Sequence, residues 1–423
     1  MSAIKKKKKK KHRNRLQYER HLRELAGRKK FLKSMQRIFD ALDLPNLFLQ
    51  LPKNEREKII RVRFRPLRLH IEEGVKVSRK KLDMLRFFIS IFSYTSMMPV
   101  LPGYGEVTVR DFFTAGLTLF GYTLSNLDLA DTGENDVISK MLPFATLFIE
   151  DKDFWWHDKL LTIAGICGNW VSRVNEAIYH VDPESYCEEG IVRPILACTL
   201  KLYRVPAQHR NIMIDGKNRP AYRVGWAYPK AGVIWASITA QELGKKHPFA
   251  QLPMEVYIQS HAIIRMRERL DTFHPFHLNT LLCSVSVGEK EVVPLSSGRV
   301  LVACYEQKVK LGYFLTEIIE GVVVIRTFLF ITNSGTPEGD RLNRELKIGK
   351  SEKKLFALDR LSSFVGSDYM KDKKIRDIFT RAHLGHLCDL DPLQFVTRDK
   401  ISMSGYSEDF LRSLQEQPAG NGR

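Results

Sequence analysis

The sequence predicts an α+β protein, in which a mainly α-helical N-terminal domain precedes a helix packed on an antiparallel β-sheet and a helical C-terminal tail. Two observations favour this class. Between about residues 31 and 200 apolar side chains recur at helical spacing, whereas after Pro206 β-branched and aromatic runs alternate with turn residues. With 423 residues, 44% of them hydrophobic, the chain is also long enough to bury the cores of two or three domains.

The N-terminal half is predicted to consist largely of helices. In one of them, Leu82, Leu85 and Phe92 recur on a single helical face. The two most apolar stretches, residues 87–101 and 112–124, fall short of the roughly 20 residues that a transmembrane helix needs, so we expect buried helices and no membrane span. The predicted helices cover residues 16–42, 53–62, 77–97, 108–124, 137–148, 155–165 and 170–179.

The second half is predicted to build a small sheet. Its strand-like runs are rich in β-branched and aromatic residues, and Glu320 and Gly321 separate the last two runs as the two residues of a hairpin turn would. Between the runs, Ser260–Leu270 has the pattern of an amphipathic helix that lies against the sheet. The predicted strands cover residues 221–227, 233–239, 255–259, 300–305, 309–319 and 322–332.

The domain organisation follows from these patterns. A helix is expected from Ser351 to Phe379, and Pro418–Arg423 should be frayed. The predicted parts are a basic arm, disordered or helical, at 1–30, a mainly helical domain at 31–200, an α+β domain at 201–350 and a helical tail at 351–423.

Positive charge is concentrated at the N-terminus. Residues 1–30 hold 14 lysines and arginines against 2 glutamates, which accounts for +12 of the net charge of +19. A run of seven lysines cannot bury apolar surface, so Met1 to about Arg15 is expected to be disordered in isolation and to bind phosphates without sequence preference. An anionic membrane, a nuclear import signal and a solubilising tail are the alternatives. The residues expected to bind nucleic acid are Lys5, Lys6, Lys7, Lys8, Lys9, Lys10, Lys11, Arg13 and Arg15.

Several classes of protein are disfavoured by what the sequence does not contain. No apolar run follows the lysines as in a secretory signal, and the six cysteines form no C-x-x-C pair, so a reducing cytoplasm is expected. The sequence shows no Walker loop and no dinucleotide glycine fingerprint, and we expect no cofactor. The pair His383 and His386, followed by Cys388 and Asp389, is expected to be structural rather than a metal site.

Ser260–Leu270 holds the most informative pattern, S-H-A-I-I-R-M-R-E-R-L. If Ser260 caps the helix, His261, Arg265 and Arg269 follow at four-residue steps and form one cationic stripe within about 80°. The apolar side chains fall on another arc, so the stripe need not be buried. Like charges at this spacing destabilise a helix by about 0.2–0.5 kcal/mol unless an anion or a carboxylate neutralises them, and phosphate is the anion we expect.

This helix and the strands after it resemble the compact toxin-type domains of the barnase, colicin and RelE class of ribonucleases. The resemblance rests on an S-x-H-A-x-x-R-x-x-E-R pattern and a later V-I-x-T run, over about residues 254–348. It implies a helix on an antiparallel sheet that acts on an RNA phosphodiester, and it leaves room for an inhibitor protein as a partner. The catalytic residues that it implies are His261, Arg265, Arg269 and Thr327.

Cleavage of RNA by its own 2′-hydroxyl needs a proton acceptor, a proton donor and positive charge near the phosphorus. His261 would be the acid or base, and Arg265 and Arg269 would hold the phosphate and stabilise developing charge without a metal. Thr327 would orient a phosphate oxygen or a water from the same face of the sheet. The second acid or base stays open among His274, His277, Tyr305 and Tyr313.

Two alternatives stand beside this metal-independent endoribonuclease. A non-enzymatic nucleic-acid-binding protein of mobile-element or phage type would use the same stripe and the lysine-rich arm only to hold phosphate. The stripe would instead be an internal salt-bridge face if Glu268 and a carboxylate from elsewhere in the chain pair with it. For the endoribonuclease and for the binding protein alike, the expected partner is nucleic acid, with RNA favoured over DNA.

Overall fold

A computed structural model of the chain shows an α+β protein, which confirms the predicted fold class. It describes residues 2–64, 67–127, 136–150, 155–185, 198–245, 250–273, 275–306, 308–347, 357–365 and 372–390. Within these ranges the side chains at 2–20, 23, 136, 185, 198 and 275–277 are not described.

The chain divides into two compact units. Unit 1 comprises Met1–Ala164 and Asp182–Leu202, and unit 2 comprises Gly165–Val181 and Tyr203–Arg423. The chain therefore passes between the units three times, so neither unit is a single continuous segment.

Unit 1 is mainly helical and is built around an aromatic core that includes Phe112, Phe120 and Phe148. Helix α5 continues through a π-helical turn, Phe112–Gly116, into α6. The helices are α1 Ser2–Ala41, α2 Pro45–Gln50, α3 Lys53–Arg61, α4 Arg79–Thr95, α5 Val109–Asp111, α6 Leu117–Leu124, α7 Asp136–Glu150 and α8 Trp155–Val171, the last of which ends in unit 2. The strands are β1 Arg68–Ile71, β2 Met97–Pro99, β3 Glu106–Thr108, β4 Ala177–Ser185 and β5 Cys198–Pro206, the last two of which belong partly to unit 2.

Helix α1 begins earlier than the apolar periodicity predicts, because it includes the lysine run. Lysine is a good helix former, and the sequence has no glycine or proline before Gly27. Among the side chains of α1 that are described, those of the C-terminal part enter the core, where Met35, Ile38 and Phe39 are fully buried. From His21 to Lys30 the described side chains are exposed except for Arg28, which is half-buried.

The predicted helix at residues 170–179 is wrong for all residues after Val171. Helix α8 ends at Val171, and the chain turns and enters β4 at Ala177. The turn is fixed by the buried Ser172, whose Oγ donates to the Gly168 carbonyl at 2.7 Å and accepts from the Tyr179 amide at 2.8 Å. A serine that bonds the backbone in this way competes with helix continuation, which the apolar periodicity does not reveal.

Unit 2 contains the large sheet. Its strands are β6 His209–Ile214, β7 Lys217–Arg223, β8 Gly225–Tyr228, β9 Gly232–Trp235, β10 Ser237–Thr239, β11 Pro253–Gln259, β12 Val292–Pro294, β13 Val300–Glu306, β14 Val309–Ile319 and β15 Val322–Phe330. Its helices are α9 Ser260–Arg269, α10 Pro275–Cys283, α11 Pro337–Leu346 and α12 Lys373–Arg381.

The sheet has the strand order β12-β13-β14-β15-β11-β7-β6, and β10 also pairs with β11. It is mixed rather than wholly antiparallel, because β11 and β15 run parallel. A parallel pair needs a crossover, and the long connection between these strands, which begins with α9, provides it. The three last strands and their hairpin are as predicted, and both Glu320 and Gly321 have positive φ, at 50° and 76°, as a type I′ turn requires.

The described part of the C-terminal tail contains less helix than the sequence predicts. It holds a 3₁₀ turn at Leu361–Ser363, the helix α12 and a second 3₁₀ turn at Gly385–Asp389. The remainder of the predicted tail, including Pro418–Arg423, lies outside the described residues. Among the helices that are described, none combines the length and the apolar character that a membrane crossing requires.

Candidate functional site

Helix α9 starts directly at the end of β11, and Ser260 does not cap it as expected. The N-cap residue is Gln259, with φ −73° and ψ 147°, and its side chain makes no cap hydrogen bond. Gln259 is still paired with Ala221 of β7, so the sheet holds it in the extended conformation of an N-cap, and Ser260 becomes the first helical residue.

The predicted apolar face of α9 is confirmed. Ala262, Ile263 and Met266 are buried in a core cluster that also contains Val323 and Ile325 of β15. The helix thus covers one face of the sheet and presents the opposite helical face, with His261 and Arg265, away from the core.

Arg269 is not available as a phosphate ligand, because it forms an ion pair with Asp359. Its Nη1 atom also donates to the Asp359 carbonyl at 3.1 Å, and the two side chains are only 15% and 7% exposed. Arg265 pairs on the surface with Glu268, at 2.6 Å between Nη1 and Oε2. Both arginines therefore have carboxylate partners, Glu268 and the distant Asp359, but only the pair of Arg269 with Asp359 is internal, as the salt-bridge alternative expects.

Thr327 lies on the face of the sheet opposite α9, so it cannot act together with His261. A β-bulge on β15 is the cause: Thr316 pairs with Ile325, the adjacent Leu315 pairs with Thr327, and Arg326 is the extra residue. After the bulge, Phe328 turns towards the α9 side. Thr327 shares the other face with its partner Leu315, which packs against Leu301, Ala303 and Tyr313.

His261 is the one predicted catalytic residue that remains free for chemistry. Its side chain is exposed, and its pKa is lowered, first by partial desolvation and then by the guanidinium groups of Arg265 and Arg219, while Glu268 opposes them. Arg219 approaches because Gln259 and Ala221 are paired, which places the adjoining part of β7 beside the start of α9. The lowered pKa favours the neutral imidazole, which is the form that can accept a proton.

The pKa of His261 should respond in opposite directions to two neighbouring substitutions. Arg265→Ala removes a cation and should raise the pKa, whereas Glu268→Gln removes an anion and should lower it. The measurement is an NMR titration of the His261 ring protons in the wild type and in both variants. Shifts of equal sign in the two variants would contradict this electrostatic account of the site.

None of the candidates for a second acid or base is placed beside His261 by the described structure. Tyr313 is fully buried on the face opposite α9, where its hydroxyl donates to Glu338 at 3.0 Å and burial raises its pKa. Tyr305 packs on the same face and donates to Glu291. His274 and the side chain of His277 lie outside the described residues.

The lysine-rich arm is described only as backbone. Residues 5–11, 13 and 15 belong to α1, and their side chains lie outside the described part of the chain. Within the described residues, no cluster of three or more His, Cys, Asp or Glu side chains could hold a metal ion. His383 instead contacts Arg341 Nη1 through its Nδ1 atom at 3.1 Å, and His386 Nε2 lies 3.1 Å from the Lys310 carbonyl oxygen.

Two residues near α9 could not have been found from the sequence. Asp359 lies 90 positions after Arg269, and Arg219 lies on a strand that comes before the helix, so neither carries a local signal. The S-x-H pattern is also not met at its first position, because Gln259 stands two residues before His261 and the serine is its direct neighbour.

Comparison with known proteins does not extend the resemblance. The chain matches no protein-family model, no curated protein and no solved structure.

Proposed function

We propose that this chain is a nucleic-acid-binding protein that uses the cationic half of α1 to hold phosphates without cleaving them. The observation that carries the proposal is the placement of charge on this helix. The first 30 residues supply +12 of the net +19, residues 2–30 belong to one helix, and of their described side chains only that of Arg28 is half-buried, in an ion pair with Glu57. Binding of this kind releases counterions and is steeply salt-dependent.

RNA is favoured over DNA on the basis of the resemblance to toxin-type ribonucleases. A cytoplasmic location is part of the same proposal, and the free thiols of Cys167, Cys283 and Cys304, all buried, are compatible with it. An inhibitor protein would be a partner only if the chain has ribonuclease activity.

A second candidate function is metal-independent cleavage of RNA, and His261 is the specific observation in its favour. Its imidazole is exposed, its pKa is lowered, and Arg265 and Arg219 lie close enough to affect it electrostatically. Against it stand the pairing of Arg269 with Asp359 and the position of Thr327 on the far side of the sheet. His261, without a second acid or base beside it among the described residues, supports phosphate binding better than it supports catalysis.

One experiment separates the two functions. Purified full-length protein is mixed with labelled RNA without added metal, and both binding and chain cleavage are followed over a range of salt concentrations. Substitution of Lys5–Lys11 by glutamine should weaken binding and flatten the salt dependence, by about 0.7 in the slope of log K against log salt for each phosphate that the protein no longer neutralises. His261→Ala should leave the RNA bound and intact, as in the wild type.

A control removes two charges from the surface of α4 through Arg79→Gln and Lys80→Gln, both exposed, and should leave the salt slope nearly unchanged. An unaltered slope after neutralisation of the lysines would refute the proposal. Discrete RNA fragments that disappear in His261→Ala would instead establish the ribonuclease.

A further inference from the structure

A groove of about 730 Å³ lies in unit 1, along one side of α1. One wall is a face of α1, where Lys30, Lys33 and Arg37 follow at three- and four-residue steps. The facing wall contains Tyr94 at the end of α4 and Arg110 in α5. We call this cavity the α1 groove.

The positive charge of the α1 groove is only partly neutralised by carboxylates of the protein. Asp111 is buried, and both of its carboxylate oxygens are used: one accepts from Ser34 Oγ at 2.5 Å and the other from Arg37 Nη1 at 2.8 Å. Lys30 and Lys33 are exposed, and among the described residues neither side chain forms an ion pair. Two lysines therefore face the groove with charge available for an anion.

Charge changes along the length of the groove. The carboxylates of Asp40 and Glu106 line the same cavity, and Asp40 lies seven residues beyond Lys33, about 10 Å along the helix axis. These carboxylates would repel a phosphate but would accept hydrogen bonds from amino groups. The groove thus has an end suited to an anion and another end suited to hydrogen-bond donors.

An exposed aromatic surface lies in the same groove. The Tyr94 side chain is 49% exposed, and the guanidinium of Arg110 stacks on its ring with 4.5 Å between Cζ and the ring centroid. Met97 beside them is 45% exposed. A planar base can extend such a stack, and this kind of contact is typical of proteins that bind single strands.

We propose that the α1 groove binds single-stranded RNA, with phosphates on Lys30 and Lys33 and an unpaired base against the Tyr94–Arg110 stack. This inference rests on the proposed nucleic-acid binding. It adds the binding site and a preference for a single strand over a duplex. A duplex keeps its bases paired and stacked, so only a single strand can present a base to Tyr94. Because α1 also contains the lysine run, one strand can follow the helix from the groove towards its N-terminus.

The test compares the affinity of the full-length chain for three fluorescent probes: a short single-stranded RNA, its duplex and an abasic strand of the same length. Lys30→Glu combined with Lys33→Glu should weaken binding of both single strands by about tenfold or more and flatten the salt dependence. Tyr94→Ala should weaken binding of the base-bearing strand by about tenfold and leave the abasic strand unaffected. Tyr94→Phe keeps the ring and should bind like the wild type.

The matched control is Lys53→Glu combined with Lys80→Glu, which changes the net charge equally at two exposed positions outside both the groove and α1. It should reduce affinity much less than the groove variant. If both variants weaken binding equally, or if Tyr94→Ala weakens the abasic strand as much as the normal one, the groove proposal is overturned while nucleic-acid binding stands. If the wild type binds none of the probes, the proposed function fails together with the groove.

Discussion

Arg269→Ala is expected to lower the free energy of unfolding by about 3–5 kcal/mol, because it leaves the buried carboxylate of Asp359 without its main partner. Among the described residues the remaining cation paired with it is Arg360, whose Nε lies 3.9 Å from Asp359 Oδ1 on a side chain that is 44% exposed. Asp359→Asn should be less severe, since it removes the buried negative charge as well. The measurement is urea unfolding followed by intrinsic fluorescence.

Arg265→Ala provides the matched control, because it removes an arginine one turn away on the same helix. Its pair with Glu268 is exposed to solvent, and such pairs contribute about 0–1 kcal/mol. The two arginines are equivalent in the sequence pattern, so a clear difference between them would show that Arg269 stabilises the fold. If Arg269→Ala is as mild as Arg265→Ala but weakens RNA binding, Arg269 is a ligand for phosphate after all.

Glu306→Gln is expected to stabilise the protein at alkaline pH. Glu306, at the end of β13, is 8% exposed, and burial raises its pKa from 4.5 to about 7. The folded state therefore holds this proton more tightly than the unfolded state. The contribution of protonated Glu306 to the free energy of unfolding is complete below pH 4.5 and is lost as the pH rises to about 7. At that pH the ionised, buried carboxylate lowers the free energy of unfolding by about 3 kcal/mol.

The wild type and Glu306→Gln should accordingly be similar in stability near pH 4.5 and should diverge up to pH 8, with the variant more stable. Unfolding free energies measured at each pH give the difference directly, since the titrations of the other groups cancel. Glu289→Gln is the control, because it removes the same kind of carboxylate from an exposed position. A constant difference between wild type and Glu306→Gln across this range would rule out the raised pKa.

The last hairpin of the sheet and the apolar face of α9 were predictable because their signals are local. The Glu320-Gly321 turn is defined by two adjacent residues, and the burial of Ile263 and Met266 follows from their three-residue spacing. The mixed strand order was not predictable, because the pairing of β11 with β15 joins segments more than 60 residues apart in sequence.

The candidate site was predictable only in part, for a similar reason. That His261 and Arg265 share a helical face follows from four-residue spacing, and the structure agrees. Whether an arginine on that face is free depends on residues far along the chain, and the loop with Asp359 gives no sign of its position in the fold. The α1 groove has no sequence signal, because Tyr94 and Arg110 reach α1 only through tertiary packing.

The extra residue in β15 has a consequence for how this chain can evolve. Loss of the codon for Arg326 would restore strict alternation and leave Thr327, Phe328 and Phe330 on the faces they now occupy, because Arg326 is the residue without a partner on β14. Loss of a residue elsewhere in the strand would instead move the side chains on one side of the gap to the opposite face. Alignments of related chains should therefore tolerate a single-residue gap at the bulge and be free of gaps in the rest of β15.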